Sequence, residues 1–420
     1  MSLVHQSSKS EIIERFARHV SSGKVDFFSG AGVDFVFGKR EGIYVWDVDG
    51  ATRLIDCHCN GGVFNLGHRN PRVIAALQRA LGELDIGNHH FISEHRALLA
   101  ERLTALCPGE LNRVMFGVSG GEAIDTAIKL ARAHTKRTKI ISAIGAYHGH
   151  TGFALAAGEE EYSAPFAPLP PGFVQIPFGD LNALQDALDD DTAAVLFETI
   201  PATMGIVVPP ENFYREARAL CDRAGALMIA DEVQSGLGRC GDIWAINTFG
   251  AIPDILVTAK GLSGGIYPMT ATLYSDRLDA FLRANPFIHI STAGGAEVGC
   301  YAALEVLNIL QEPEFLENVR AMADLFRAGL AQLQNKYPAL LLEVRQRGLM
   351  MGLRFASPQL GPLMTVLGFR FGVLMIYANY DKAVCQFLPP LIIQAEQVQE
   401  VLARLDRQLE WASANAAAFI

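Results

Sequence analysis

No stretch of this 420-residue chain approaches the ~18 unbroken apolar residues that a membrane span requires. No membrane partner is therefore expected. The opening segment "MSLVHQSSKSEIIERFARHV" also lacks the long apolar core of a secretion signal, so the expected location is cytoplasmic. Basic residues are outnumbered, 35 against 45 acids for a formal charge of −10, and no basic stripe interleaves with aromatics. Such a surface repels a phosphate backbone and argues against nucleic acid as a partner. Cysteine is limited to seven residues, an odd count without regular spacing, which points to reduced thiols rather than a disulfide frame. Cys57-His58-Cys59 and the pair His148 and His150 look metallic at first sight. Adjacent strand residues face opposite ways, however, and no second pair stands at ligand spacing, so packing is the reading and no metal is expected. Repeats and low-complexity segments are absent as well.

What remains is the profile of a packed globular protein: 50% hydrophobic residues, with 39 glycines and 19 prolines scattered along the chain. The length suits one large domain plus a smaller one. Short apolar runs alternate with helical periodicity. Candidate strands are Val114 to Phe116, Lys139 to Ala143, Ala193 to Phe197, Leu227 to Ala230, Ile255 to Val257 and Thr270 to Tyr274. Several are nearly continuous apolar runs, as parallel strands covered on both faces should be. The spacing predicts a helix over Gly121 to His134, with Ala123, Ile124, Ala127, Ile128 and Ala131 on one face. Alternating strands and helices imply an α/β fold with a mainly parallel central sheet and helices on both faces. Near the start, "GIYVWDVDGATRLIDCHCN" reads as strand, turn at Asp49-Gly50, strand. Beyond about Ala302 the chain becomes mostly helical, with a strand expected over Gly348 to Phe355 and a last helix from about Glu396. Residues 1–60 and 306–420 are therefore expected to form one smaller α+β domain beside a large domain over 61–305.

Ligands of open α/β sheets bind at the carboxyl ends of the strands. Here those ends carry "GVSGGEA", "IGAYHGH", Glu198, the pair Asp231 and Glu232, and Lys260. Gly117-Val118-Ser119-Gly120-Gly121 fits a serine-hydrolase elbow with Ser119 as nucleophile, an anion site at a helix N-terminus, or simply a tight turn. Lys260 shifts the balance. Its apolar context, "DILVTAKGLSGG", disfavours the ammonium and lowers its pKa, as an amine that must attack a carbonyl requires. A phosphate site, a strand-end acid and a buried lysine together suit pyridoxal 5′-phosphate, whose phosphate, ring nitrogen and aldehyde need those three groups. Asp231 would hold the ring-nitrogen proton by a charge-assisted hydrogen bond, and Tyr147 would stack on the ring.

These residues carry a resemblance. "GIYVWDVDGATRLID", "NLGHRNPRVIAAL", "GVSGGEAIDTAIKLAR", "AYHGHT", "IADEVQSGLGR" and "TAKGLSGG" are together similar to the class III pyridoxal-phosphate aminotransferases, the ornithine and 4-aminobutyrate type with the fold-type I architecture. The likeness runs from about Gly42 to the C-terminus. It implies a ping-pong transaminase that moves an amino group between an amine or amino acid and an oxo acid or aldehyde. It also implies that Lys260 bonds the cofactor and shuttles the reacting proton. Asp231 binds the ring nitrogen, Val233 packs under the ring, Gln234 approaches the ring hydroxyl, and Tyr147 and His148 belong to the ring-stacking segment. Ser119, Gly120 and Gly121 form the phosphate cradle and Glu198 lies near the cofactor. Thr292, in "HISTAGGAE", would reach the phosphate of a neighbouring subunit, implying a homodimer or a dimer of dimers with shared sites. Racemase, epimerase, lyase or decarboxylase chemistry is the alternative on the same cofactor.

Two departures from the family pattern concern the substrate. Where the family commonly has E-P-x-Q-G-E-G-G, this chain has "ETIPATMG", which places Thr203 at the gate glutamate. Where it has an arginine in R-L-L-P-P-L, this chain has Gln386 in "CQFLPPL". A neutral glutamine cannot grip a carboxylate with two prongs. Loss of one partner would strand a buried charge at ~3–5 kcal/mol, whereas loss of both leaves a neutral, viable pocket. The substrate pocket, tentatively Thr203 and Gln386, is thus expected to take an amine or aldehyde without an α-carboxylate. Arg345, Arg347 and Arg354 are the other candidate carboxylate grips, and Gln386→Arg is expected to improve turnover of α-amino acids.

Overall fold

A computed structural model describes residues 7–415. Its fifteen strands make three sheets. The first is small: β1 (Phe37–Glu41), β2 (Tyr44–Asp47) and β3 (Arg53–Asp56) run antiparallel, the last two joined by the Asp49-Gly50 turn, and β13 (Val373–Leu374) adds parallel to β3. The third is also small: β11 (Leu341–Arg347), β12 (Met350–Phe355), β14 (Ile376–Tyr377) and β15 (Val384–Phe387) pair antiparallel in the order β11-β12-β15-β14.

Between them lies a seven-stranded sheet of β4 (Arg113–Gly117), β5 (Lys139–Ala143), β6 (Phe173–Ile176), β7 (Thr192–Glu198), β8 (Leu227–Asp231), β9 (Ile255–Thr258) and β10 (Thr270–Tyr274), ordered β4-β10-β9-β8-β7-β5-β6. The pairs from β6 across to β9 are parallel, and β10 runs antiparallel to both β9 and β4. Every residue of β7, β8 and β9 is buried, because helices cover both faces and leave nowhere for a polar alternation. One covering helix, Gly120–Thr135, buries Ala123, Ile124, Ala127, Ile128 and Ala131. Each isoleucine so buried contributes about 1.5–3 kcal/mol.

The strand β6 and the whole of β11 lie outside the sequence-based expectation, and Gly348 occupies the turn before β12 with φ +58° instead of opening the strand. The apolar core under the large sheet is separate from one built by Ile43, Ile55 and Cys57 with Phe326, Phe355, Phe387 and Val401. Where these bodies meet, Arg239 is fully buried. Its guanidinium donates to the Leu349 carbonyl (3.1 Å), the Pro389 carbonyl (2.6 Å) and Asn65 Oδ1 (2.6 Å).

Candidate active site

The carboxyl ends of β7, β8 and β9 open into a cavity of about 620 Å³. Pairing in register sets Glu198 beside Asp231, and the chain leaving β9 turns through Ala259 to Lys260. Lys260 has φ +41°, a left-handed backbone that costs a side-chain-bearing residue about 1–3 kcal/mol and that clusters at functional sites. Its Nζ donates to Gln234 Oε1 at 3.0 Å. Burial pulls the Lys260 pKa below the usual lysine range, with Asp231 and Glu198 pulling the other way.

Asp231 is 4% exposed. Oδ2 lies 2.8 Å from His148 Nδ1, and Oδ1 accepts from the Val233 amide at 3.0 Å. Glu198 accepts from the Tyr147 amide (2.9 Å) and the Ala202 amide (3.3 Å), and burial pushes its carboxyl up to about 7. Glu232, next to Asp231, points the opposite way, as strand alternation demands. It accepts from Thr199 Oγ1, Ser235 Oγ and the amides of Ala245 and Ile246 at 2.7–3.0 Å.

Against Val233 and Ala259, just beyond these strand ends, the Gly120–Thr135 helix begins. Ser119 is its N-cap, its hydroxyl accepting from the Glu122 amide at 3.2 Å, and no histidine hydrogen-bonds it. The hydrolase reading of Ser119 is thereby corrected: the oxygen is spent on the cap and has no base in reach. Helix geometry leaves the Gly120 and Gly121 amides without intrahelical acceptors. The 147–151 loop closes on them so tightly that a Cβ on Gly149 would stand 2.7 Å from Gly121 Cα.

Ser119, Gly120, Gly121, Tyr147, His148, Glu198, Asp231, Val233, Gln234 and Lys260 all line this one cavity. Thr203, Gln386 and Thr292 do not. Thr203 Oγ1 donates to the Gly145 carbonyl at 3.0 Å, Gln386 stands behind Gln234, and Thr292 is exposed. His150, Thr151, Ser263, Tyr267 and Thr270 also line the cavity and were not anticipated; only the positions just after β5 and β9 gave a local signal for any of them. Among the described residues, Lys260 is the one lysine or arginine in the lining. Arg345 donates to the Gly205 carbonyl and to Glu343, and Arg347 to Glu211 and Thr248, so both are committed elsewhere.

The profile of the family described as aminotransferase class-III matches residues 29–409. A protein of Archaeoglobus fulgidus described as an uncharacterized aminotransferase is 55% identical over 413 residues, covering 98% of this chain and 97% of that protein. The ornithine aminotransferase of Toxoplasma gondii ME49 superposes with a TM-score of 0.89 at 26% identity, over 97% of this chain and 96% of that one. The taurine:2-oxoglutarate aminotransferase of Bifidobacterium kashiwanohense, solved with pyridoxal phosphate and glutamate, gives a TM-score of 0.87 at 27% identity over 98% and 100%. The chain belongs to the class III aminotransferases. It is a pyridoxal-phosphate-dependent enzyme of transamination with the fold-type I architecture.

The cavity fits that cofactor by what it leaves unpaired. Two glycine amides at a helix N-terminus suit a phosphate. The buried Thr270 hydroxyl in the lining has no protein partner.

Proposed function

We propose that transamination here is carried out by Lys260 on an amine lacking an α-carboxylate, in a site completed by a second copy of the chain. Bound pyridoxal phosphate supplies an aldehyde that bonds amines and a protonated ring that withdraws electrons. Lys260, its ammonium destabilised by burial, provides the amine that holds the cofactor and afterwards carries the proton at Nζ. Asp231, oriented by His148, holds the proton on the ring nitrogen. Ser119, Gly120 and Gly121 bind the phosphate, Tyr147 and Val233 enclose the ring, and Gln234 adjoins the ring hydroxyl. Glu198, with its carboxyl pushed up to about 7, carries only part of a negative charge beside Asp231 near neutral pH. The observation that carries the substrate class is that no guanidinium lines the cavity and that Gln386 is bonded to Gln234. Oxo acids serve as the amino acceptors.

A homodimer, or a dimer of dimers, is supported by an apolar surface near the exposed Thr292. Phe91, Ile92, Phe287 and Ile288 are 60% exposed or more, and their two segments are joined by Arg96 bonds to the Gly295 and Phe91 carbonyls. Solvent alone is a costly cover for such a patch. Ile92→Glu is expected to yield monomers in sedimentation velocity; an intact dimer would remove this surface from the interface. Seven free cysteines support a reducing, cytoplasmic setting. The separate cores support a division of the chain into a large central domain and a smaller one built from both ends, with the Glu297–Leu310 helix packed on the large core.

The functional test is single-turnover bleaching of the bound cofactor by a panel of simple amines and α-amino acids, with Lys260→Ala as control. Simple amines are expected to react faster. Equal or faster reaction of α-amino acids would overturn the substrate class, and normal turnover by Lys260→Ala would overturn the role of the lysine.

A further inference from the structure

Three side chains from distant parts of the chain form a line. Lys260 Nζ donates to Gln234 Oε1 at 3.0 Å, and Gln234 Nε2 donates to Gln386 Oε1 at 3.2 Å. Lys260 Nζ is the donor in this contact, so the lysine takes the carbonyl side of the Gln234 amide. The amide's NH₂ must then face Gln386, which meets it with its own carbonyl oxygen. Each orientation follows from the one before.

The end of this line is held firmly. Gln386 is 8% exposed and lies in β15, between two other strands, its backbone paired to Gly352 on β12 and to Ile376 on β14. The near end is enclosed by bare backbone. A Cβ added to Gly61 would lie 3.4 Å from Lys260 Nζ and 3.6 Å from Gln234 Oε1. Gly61 belongs to a turn, Cys59–Gly62, whose four residues all have φ between +48° and +96°. Asp56 Oδ1 anchors that turn by accepting from the His58 (3.0 Å) and Cys59 (2.8 Å) amides.

We propose that Gln386 is a positioning residue: its carbonyl orients Gln234 so that Gln234 holds the Lys260 amine in line for the cofactor aldehyde. This rests on the reading of Lys260 as the amine that bonds the cofactor. A carbonyl at residue 386 is required, and a cation there reverses the line, because two donors would face each other across Gln234. Gln386→Arg therefore damages the site rather than restoring a grip on carboxylates, the opposite of what the sequence alone suggests.

The test uses full-length apoenzyme and the rate at which added pyridoxal phosphate develops the visible absorbance of the bound cofactor. Borohydride fixation and peptide mass spectrometry then identify the labelled lysine. Gln386→Met, nearly isosteric but without the acceptor, is expected to capture the cofactor about tenfold more slowly, since it strands a buried NH₂. Gln386→Arg is expected to be at least as slow, and Gln386→Glu, which keeps an acceptor, to recover most of the lost rate. Gln234→Met reads the same link from its other end, and the double Met variant should be no slower than Gln234→Met alone. Wild-type capture by Gln386→Met and Gln386→Arg, or additive losses in the double variant, overturns the proposal while labelled Lys260 leaves the functional reading intact. Label on another residue, or undiminished capture by Lys260→Ala, overturns the functional reading itself.

Discussion

Asp231 and Glu232 are neighbours in sequence, both nearly inaccessible to solvent, yet they inhabit opposite worlds. Glu232 faces the protein interior and every side of its carboxylate is met by a donor, two hydroxyls and two amides. Asp231 faces the cavity, where His148 Nε2 and Thr270 Oγ1 have no protein partner and Lys260 sits in a left-handed backbone. Buried polar groups are normally satisfied. The full set around Glu232 is what stability selects, and the incomplete set around Asp231 is what a site awaiting a ligand looks like.

The sharpest way to break that contrast is to remove each acid in turn. Asp231→Ala is expected to lower transamination by about 10²- to 10⁴-fold, the scale of a lost proton-holding group, with a smaller loss of apoprotein thermal stability than Glu232→Ala, since it strands two partners rather than four. Glu232→Ala should do the reverse. Stranding four donors is expected to cost about 3–5 kcal/mol of stability, while the fraction that remains folded captures cofactor normally. Calorimetry and steady-state rates on both variants check this, and matching profiles would abolish the distinction.

A pH titration comes next. The Glu198 carboxyl is pushed up to about 7 by burial, above its value in the unfolded chain. Between about pH 4.5 and 7 the folded state therefore holds the extra proton, so apoprotein stability should fall as the pH rises through that window. Glu198→Gln should reduce the slope without abolishing it, measured as Tm against pH, because burial also pushes the Glu232 carboxyl up to about 7 and the same window carries its proton. A slope that persists unchanged would assign it to another group.

The smallest effect is expected at Gly61. Gly61→Ala forces a side chain into φ +66° and towards Lys260, costing about 1 kcal/mol. Slower reaction of bulky amines relative to small ones should accompany it. Equal slowing of both would show that the turn shapes the backbone alone.

The site was legible in the sequence where chemistry follows directly on a buried strand. Glu198, Asp231 and Lys260 stand at or just beyond the ends of unbroken apolar runs, and Ser119 to Gly121 open a helix with an apolar face. The strand β6 escaped because it is a four-residue edge with Val174 exposed, following a proline-rich stretch with no periodicity. The bond from Gln234 to Gln386 joins residues 152 apart, and nothing local marks either amide as a partner. The burial of Arg239 was equally hidden. It stands among glycines and a cysteine, without the apolar surroundings that announce a core position.

That arginine has a mechanical consequence. It follows the Asp231 segment by only a few residues, yet its three bonds reach the turn region at Asn65 and both flanks of the last sheet at Leu349 and Pro389. Sliding the last sheet away from the cavity floor would orphan a guanidinium whose three acceptors all come from the protein, at ~3–5 kcal/mol. The floor and that sheet thus behave as one riveted plate, and any breathing motion that admits substrate is left to the loops on the far rim.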